Sequence, residues 1–221
     1  MSDFAAARQK MVDGQVRTSD VTDIAILDAM LALPREEFVP AGKRALAYLD
    51  LDLDVTVGGS APRYLVKPML TAKLLQAAEI RASDSVLIVG CATGYAAAVA
   101  ARLAAKVVAT EGDASLAARA RDILARLGLP GVTVKVAEAA AGDSADAPYD
   151  VILLNGATEV VPKAVCGQLK EGGRLLGVFA ATRPPRATLV TRAHGDLGYR
   201  TLFDVSAPVL PGLERVPAFV F

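Results

Sequence analysis

Two features of the chain combine residue type and spacing in a way that suits a ligand. The first is the turn Gly90-Cys91-Ala92-Thr93-Gly94, directly after the apolar run Ser85-Val86-Leu87-Ile88-Val89. Glycines there let the backbone take positive φ and approach a ligand closely. A helix opening at Tyr95 would turn its free N–H groups and the positive end of its dipole toward the same point. The second feature is Glu111, about twenty residues further on, where an acid at the tip of the next strand can accept both hydroxyls of a ribose. Together they make a nucleoside-binding arrangement. The same residues also serve where a turn merely joins strand to helix and an acid charges a helix N-terminus, and both readings stand at this point.

Other reactive side chains are few. The chain has one histidine, His194, in Ala193-His194-Gly195-Asp196, which reads as a solvated turn. Triads and zinc sites that depend on histidine are nearly excluded. The two cysteines, Cys91 and Cys166, are too few for a disulfide framework or a metal cage, and a reducing, cytoplasmic setting is the simplest expectation. Cys91 reads as a small buried filler. Asp50, Asp52 and Asp54 alternate like a solvated strand face and lack the glycine and terminal glutamate of a calcium loop, so no metal is expected. Arg183-Pro184-Pro185-Arg186 reads as a stiff surface loop.

The elements that must position the turn and Glu111 follow a repeating pattern. Apolar runs at 85–89, 106–110, 132–136, 149–154 and 174–179 read as buried strands, alternating with helices over 95–103, 114–127 and 160–169. In the second of these helices Leu116, Ala120, Ile123, Leu124 and Leu127 share a face, and Gly128 stops it. Continuous apolar strands alternating with helices predict a doubly wound, mostly parallel sheet. Stretches 187–192, 199–205 and 215–221 read as antiparallel strands, because their connections are too short for helices. Ahead of the sheet, helices are expected over 21–33, with Ile24, Leu27 and Leu31 facing inward, over 41–48, and after Pro68, with Leu70, Leu74, Leu75 and Ala78 inward. The stretch 57–62 reads as a loop. The chain is expected to form one domain over 1–221, with a helical prelude (1–80) and an α/β core (81–221).

Composition narrows the function. The 221 residues are 53% hydrophobic and 22% charged, enough for a core and unlike a disordered chain. Lys plus Arg and Asp plus Glu both number 24, so there is no basic excess for nucleic acid or anionic lipid, and Trp is absent. No apolar run approaches the ~20 residues of a membrane span. The polar start MSDFAAARQKMVDGQ lacks the order of a secretory signal.

The Leu87–Tyr95 segment resembles the first motif of class I S-adenosylmethionine-dependent methyltransferases. More narrowly, the chain resembles the protein-L-isoaspartate O-methyltransferase family over nearly its whole length. Pro34-Arg35-Glu36-Glu37-Phe38-Val39-Pro40 with Ala47-Tyr48, the pair Gly94-Tyr95, Pro148-Tyr149-Asp150-Val151-Ile152 and Gln168–Leu175 carry the likeness. The resemblance implies a Rossmann-like methyltransferase fold, S-adenosylmethionine as cofactor, and an isoaspartyl peptide or protein as methyl acceptor. The methyl ester then closes to a succinimide, which gives repair. The acceptor carboxylate is already ionised, so the reaction needs no general base, and no catalytic side chain is assigned. The resemblance places Gly90, Cys91, Ala92, Gly94, Tyr95 and Glu111 at the cofactor. It adds Glu138 near the adenine and Asn155 beside the methyl-transfer pocket. The substrate loop is Arg63, Val66, Lys67, Pro68 and Met69.

Three positions depart from that family's pattern. Ile88 stands where an acid is usual, at an expected loss of about 1.5–3 kcal/mol if a charge-assisted hydrogen bond goes with it. Ala92 replaces a glycine and would cost about 1–2 kcal/mol in a left-handed conformation. Val66 and Met69 replace a hydroxyl residue and a His or Tyr, which leaves Arg63 and Lys67 to attract a substrate carboxylate. These losses motivate an alternative, a catalytically impaired relative that serves as a nucleoside-binding or interaction module. A nucleotide-dependent oxidoreductase is a weaker third reading.

Overall fold

The computed structural model describes residues 3–56, 58 and 61–216. The chain opens with α1 (Phe4–Met11), a π-helical segment (Val12–Val16) and a 3-10 segment (Arg17–Ser19), then α2 (Ile24–Ala32), two further 3-10 segments (Arg35–Phe38 and Ala41–Leu46) and a hairpin of two-residue strands, β1 (Leu53–Asp54) with β2 (Tyr64–Leu65). α3 (Pro68–Ala77), β3 (Ser85–Val89), α4 (Tyr95–Ala100), β4 (Lys106–Glu111), α5 (Ala114–Arg126) and β5 (Val132–Val136) follow. β6 (Tyr149–Thr158), α6 (Lys163–Cys166), β7 (Leu169–Phe179), β8 (Arg186–Ala193) and β9 (Asp196–Asp204) complete the described elements.

Seven strands form one sheet in the order β5-β4-β3-β6-β7-β8-β9. The first five are parallel, and β8 and β9 add antiparallel at one edge. β3 is central and buried on both faces. Val86 and Ile88 join one apolar cluster with α2, α3, α4 and α5, while Leu87 and Val89 join a second with Tyr149, Val165, Leu169 and Leu210. The two-residue alternation of a strand divides the core this way. The first cluster also takes in Met11, Met30 and Phe38, so the N-terminal helices pack on the sheet's helix layer. After β4 and β5 the chain returns to the other side of β3 to form β6, and this reversal opens a crevice at the carboxyl ends of β3 and β6.

Several expectations need correction. α2 begins only at Ile24, because Asp23 caps it by accepting from the Ala25 and Ile26 N–H groups. Its buried face is Ile26, Leu27, Ala29 and Met30, whereas Ile24 is 71% exposed. A helix as uniformly apolar as IAILDAMLA does not declare its inner face by periodicity. The helix expected over 160–169 shrinks to the four residues of α6. Pro162 precedes its first residue, Gly167 closes it, and Leu169 already pairs with Tyr149 in β7. α4 ends at Ala100 rather than at residue 103, and the segment after Pro40 is a 3-10 turn rather than a helix reaching Tyr48. Residues 217–221 of the expected last strand, and 57, 59 and 60 of the expected loop, lie outside the described residues. No helix among the described residues is long and apolar enough to cross a membrane.

Candidate active site

The turn after β3 uses three left-handed residues, with φ of +69° at Gly90, +51° at Ala92 and +96° at Gly94. Ala92 therefore adopts the conformation that costs a Cβ-bearing residue about 1–2 kcal/mol. Two side chains hold the turn in place. Glu111 Oε2 accepts from the Ala92 N–H at 2.7 Å, and Asn155 Nδ2 donates to the Gly90 carbonyl at 3.0 Å. Thr93 Oγ1 ties the back of the turn to the Phe38 carbonyl at 2.6 Å.

Glu111 ends β4 with its carboxylate inside the crevice and 1% of the side chain exposed. It accepts four hydrogen bonds. Arg63 Nε donates to Oε1 at 2.9 Å and Arg63 Nη2 to Oε2 at 2.5 Å, a bidentate pair. The Ala92 N–H shares Oε2, and the Asp113 N–H reaches Oε1 at 3.2 Å. A carboxylate offers about four lone-pair positions, so those of Glu111 are fully used.

A cleft of about 180 Å³ opens beside this carboxylate, bounded by Arg63, Gly90, Glu111, Gly112, Asp113 and Glu138 among others. That is room for part of a nucleoside, below the roughly 300–1,000 Å³ of sites that enclose a drug-sized ligand. A Cβ on Gly112 would meet Glu138 Oε2 at 3.2 Å, so the bare backbone there keeps the floor of the cleft open. Two carboxylates along one wall and an open glycine floor fit a nucleoside. Over Gly90 the space is filled: a Cβ there would lie 2.6 Å from Leu210 Cδ2 and 3.0 Å from Arg63 Nη2. A small recess of about 10 Å³, room for about one water, adjoins, with Arg63 as the shared wall and Tyr64, Val66, Asn155 and Leu210 around it.

The expected site residues divide into two groups. Gly90, Glu111, Glu138 and Asn155 converge on these two cavities, and Arg63 and Val66 come from the β1–β2 hairpin and the segment after it. Cys91, Ala92 and Tyr95 lie behind the turn, where side chains of a buried strand–helix junction must go. The Tyr95 ring stands edge-on to Phe38 at 5.2 Å, beneath the Arg35 guanidinium at 4.6 Å. Burial pushes the Cys91 thiol well above its usual range. Of the two cations offered to a substrate carboxylate, Arg63 is bound to Glu111 instead, and Lys67 Nζ is 4.0 Å from Asp52.

Other residues carry positions that the sequence left unassigned. Arg35 is fully buried, donates to the Ala47 and Val66 carbonyls at 2.8 and 2.7 Å, and so fixes the segment Arg63–Met69 against the core. Of the alternating acids, Asp54 is exposed on β1 as expected, whereas Asp52 and the exposed Asp50 lie ahead of the strand and accept from the Lys67 and Met69 N–H groups at 2.9 and 3.2 Å. Leu210 lids the glycine turn. None of these contacts has a local sequence signal, because each joins residues far apart in the chain. His194 is exposed in the β8–β9 turn.

Comparison with known proteins gives a consistent family. The model of "Protein-L-isoaspartate(D-aspartate) O-methyltransferase (PCMT)" matches residues 6–199. A protein-L-isoaspartate O-methyltransferase of Koribacter versatilis is 40% identical over 204 residues, covering 92% of this chain and 90% of the relative. One of Methylorubrum extorquens is 41% identical over 174 residues, covering 79% and 74%. Among solved structures, a protein-L-isoaspartate O-methyltransferase at 27% identity superposes with a TM-score of 0.83 over 94% of this chain and 67% of its own.

Proposed function

The chain belongs to the protein-L-isoaspartate O-methyltransferase family, and we propose that its crevice binds S-adenosylmethionine and presents the methyl group to an isoaspartyl carboxylate of a damaged peptide or protein. Members of this family are S-adenosylmethionine-dependent methyltransferases that act on isoaspartyl residues. The observation that carries the site assignment is the Glu111 carboxylate at the tip of β4, beside the Gly90–Gly94 turn and in one cleft with Glu138.

When bound, the cofactor supplies a methyl group on a cationic sulfur for in-line transfer to a carboxylate oxygen. Glu111 accepts the ribose hydroxyls, and Glu138 faces the adenine. Asn155 fixes the bend beside the methionine portion through the Gly90 carbonyl. Arg63 to Met69, held by Arg35, Asp50 and Asp52, form the wall that the acceptor meets. A carboxyl of pKa near 4 is ionised at neutral pH, so the chain contributes orientation and water exclusion rather than a base.

The test is methyl transfer from labelled S-adenosylmethionine to an isoaspartyl peptide and to its aspartyl counterpart. Label that appears only on the isoaspartyl peptide, and leaves as methanol in base, is the expected result. Tight cofactor binding without transfer to either peptide refutes the acceptor assignment.

A further inference from the structure

We propose that Arg63 is a latch on Glu111: the ribose must displace it, and the freed guanidinium then takes a carboxylate that arrives on its Val66 and Asn155 side. The proposal rests on the reading of Glu111 as the ribose acceptor, and deepens it.

The lone pairs of Glu111 are the starting point. Two are taken by backbone N–H groups, from Ala92 and Asp113, that belong to the turn and to the start of α5. The other two are taken by Arg63. A ribose needs two, and the backbone bonds cannot leave without unmaking the turn. Arg63 is therefore the exchangeable partner. Its side chain comes from the β1–β2 hairpin rather than from the sheet, so its departure breaks no strand pairing of the seven-stranded sheet. A protein that must first open such a pair binds with an apparent dissociation constant raised by the reciprocal of its open fraction.

The destination follows from charge. Arg63 is 6% exposed, and a guanidinium stripped of its carboxylate in a buried setting needs another anion. Arg63 lines both cavities, and it is the one charged side chain among the described residues that line the small recess. A planar fork of N–H donors there suits a carboxylate bidentately. Two ligands of the reaction carry one: the amino-acid end of the cofactor and the acceptor peptide. Either way Arg63 reports nucleoside occupancy to its Val66 and Asn155 side, which makes nucleoside binding precede carboxylate binding.

Calorimetry with methylthioadenosine, which has the ribose and no carboxylate, isolates the latch. Arg63→Met is expected to bind it at least fivefold more tightly than the native protein, and Arg63→Lys, which keeps the charge but loses the fork, at least twofold more tightly. Unchanged or weaker binding in both variants overturns the latch. Glu111→Ala separates this failure from failure of the underlying site. If Glu111→Ala binds methylthioadenosine as the native protein does, the ribose assignment itself is wrong. S-adenosylhomocysteine then locates the carboxylate. A gain for Arg63→Met at least fivefold smaller than that for methylthioadenosine assigns it to the cofactor. Equal gains, with at least fivefold weaker isoaspartyl-peptide binding to the S-adenosylhomocysteine complex, assign it to the acceptor. Equal gains with unchanged peptide binding overturn the second half of the proposal.

Discussion

The Arg63–Glu111 pair should dominate the local energetics of the crevice, and a double-mutant cycle measures it. Both side chains are almost wholly withdrawn from water, at 7% and 1% exposure. Removing one partner of such a pair costs about 3–5 kcal/mol, because the other remains as an uncompensated charge. The two truncations are not equivalent. Arg63→Met leaves Glu111 with the Ala92 and Asp113 N–H donors, so its cost should fall near the lower end. Glu111→Gln turns an amide N–H₂ toward the guanidinium or toward a backbone N–H, donor against donor. It also weakens the bond that steadies Ala92 in its left-handed conformation, so its cost should fall near the upper end. At about 2–4 °C per kcal/mol for a chain of this size, the single variants should melt about 6–12 °C and 10–20 °C below the native protein. The double variant removes both charges and should cost at least about 2 kcal/mol less than the sum of the singles, well outside the few tenths expected of independent sites. Urea unfolding at constant m-value provides the free energies and calorimetry the melting points. Costs that add, or an Arg63→Met cost below about 1 kcal/mol as at a surface pair, refute the reasoning.

Four further outcomes follow from the same geometry. Gly90→Ala should lower the melting point and remove cofactor binding, since a Cβ at φ +69° would meet Leu210 at 2.6 Å and Arg63 at 3.0 Å; an unshifted melting curve contradicts this. Val66→Ser places a hydroxyl in the recess shared with Asn155 and should raise methylation of an isoaspartyl peptide; an unchanged rate with cofactor binding intact means the loop has been misaligned with its family. Burial raises the Asp143 and Asp150 carboxyls, but Lys135 and Tyr149 at the first, and Lys170 and the Ser85 N–H at the second, outweigh it and hold both below the usual carboxylate range. Their stabilisation is therefore present above the unfolded carboxyl pKa near 4 and lost as pH falls through the folded values, and Asp143→Asn/Asp150→Asn should flatten the acid limb of unfolding measured from about pH 5 to 2. Burial also pushes up the thiols of Cys91 and Cys166, so neither should be alkylated by iodoacetamide at pH 8 until the protein unfolds, as read by mass spectrometry.

The sheet was legible where local signals were strong. β3 and β5 fall on the residues that their apolar runs indicate, and α5 shows one apolar stripe between a capping aspartate and a glycine at φ +70°. Elements decided by distant partners were not legible. Asn155, Gly156, Ala157 and Thr158 look like loop, yet β6 continues through them because Ala157 and Thr158 pair with Val178 and Phe179 beyond a register shift, and Ala157 also bonds the Pro208 carbonyl. Asp50 and Asp52 look solvated, because nothing near them in sequence shows the N–H groups of Lys67 and Met69 that they serve. Among the site residues, Gly90 and Glu111 could be read from a turn and an acid at strand ends. The partnership of Arg63 with Glu111 could not, since it spans 48 residues.

Ile88 shows how the chain compensates for its departures. The side chain is fully buried in the apolar layer between β3 and the helices, so a carboxylate there would need its own partners in a setting that offers Val86, α4 and α5. The turn is instead secured from its flanks: Glu111 binds the Ala92 N–H from β4, Asn155 binds the Gly90 carbonyl from β6, and Thr93 binds the Phe38 carbonyl from the prelude. The bond from Glu111 also steadies the strained conformation that Ala92 takes in place of a glycine. One carboxylate thus acts as anchor for the bend, as partner for Arg63 and as the proposed acceptor for a sugar. The first role uses lone pairs that the other two do not, whereas the second and third compete for the same ones. Substitutions at Glu111 therefore mix folding with binding, while substitutions at Arg63 leave the anchor in place. Arg63, rather than the acid it binds, is the residue through which the cleft's affinity can be changed without dismantling the turn.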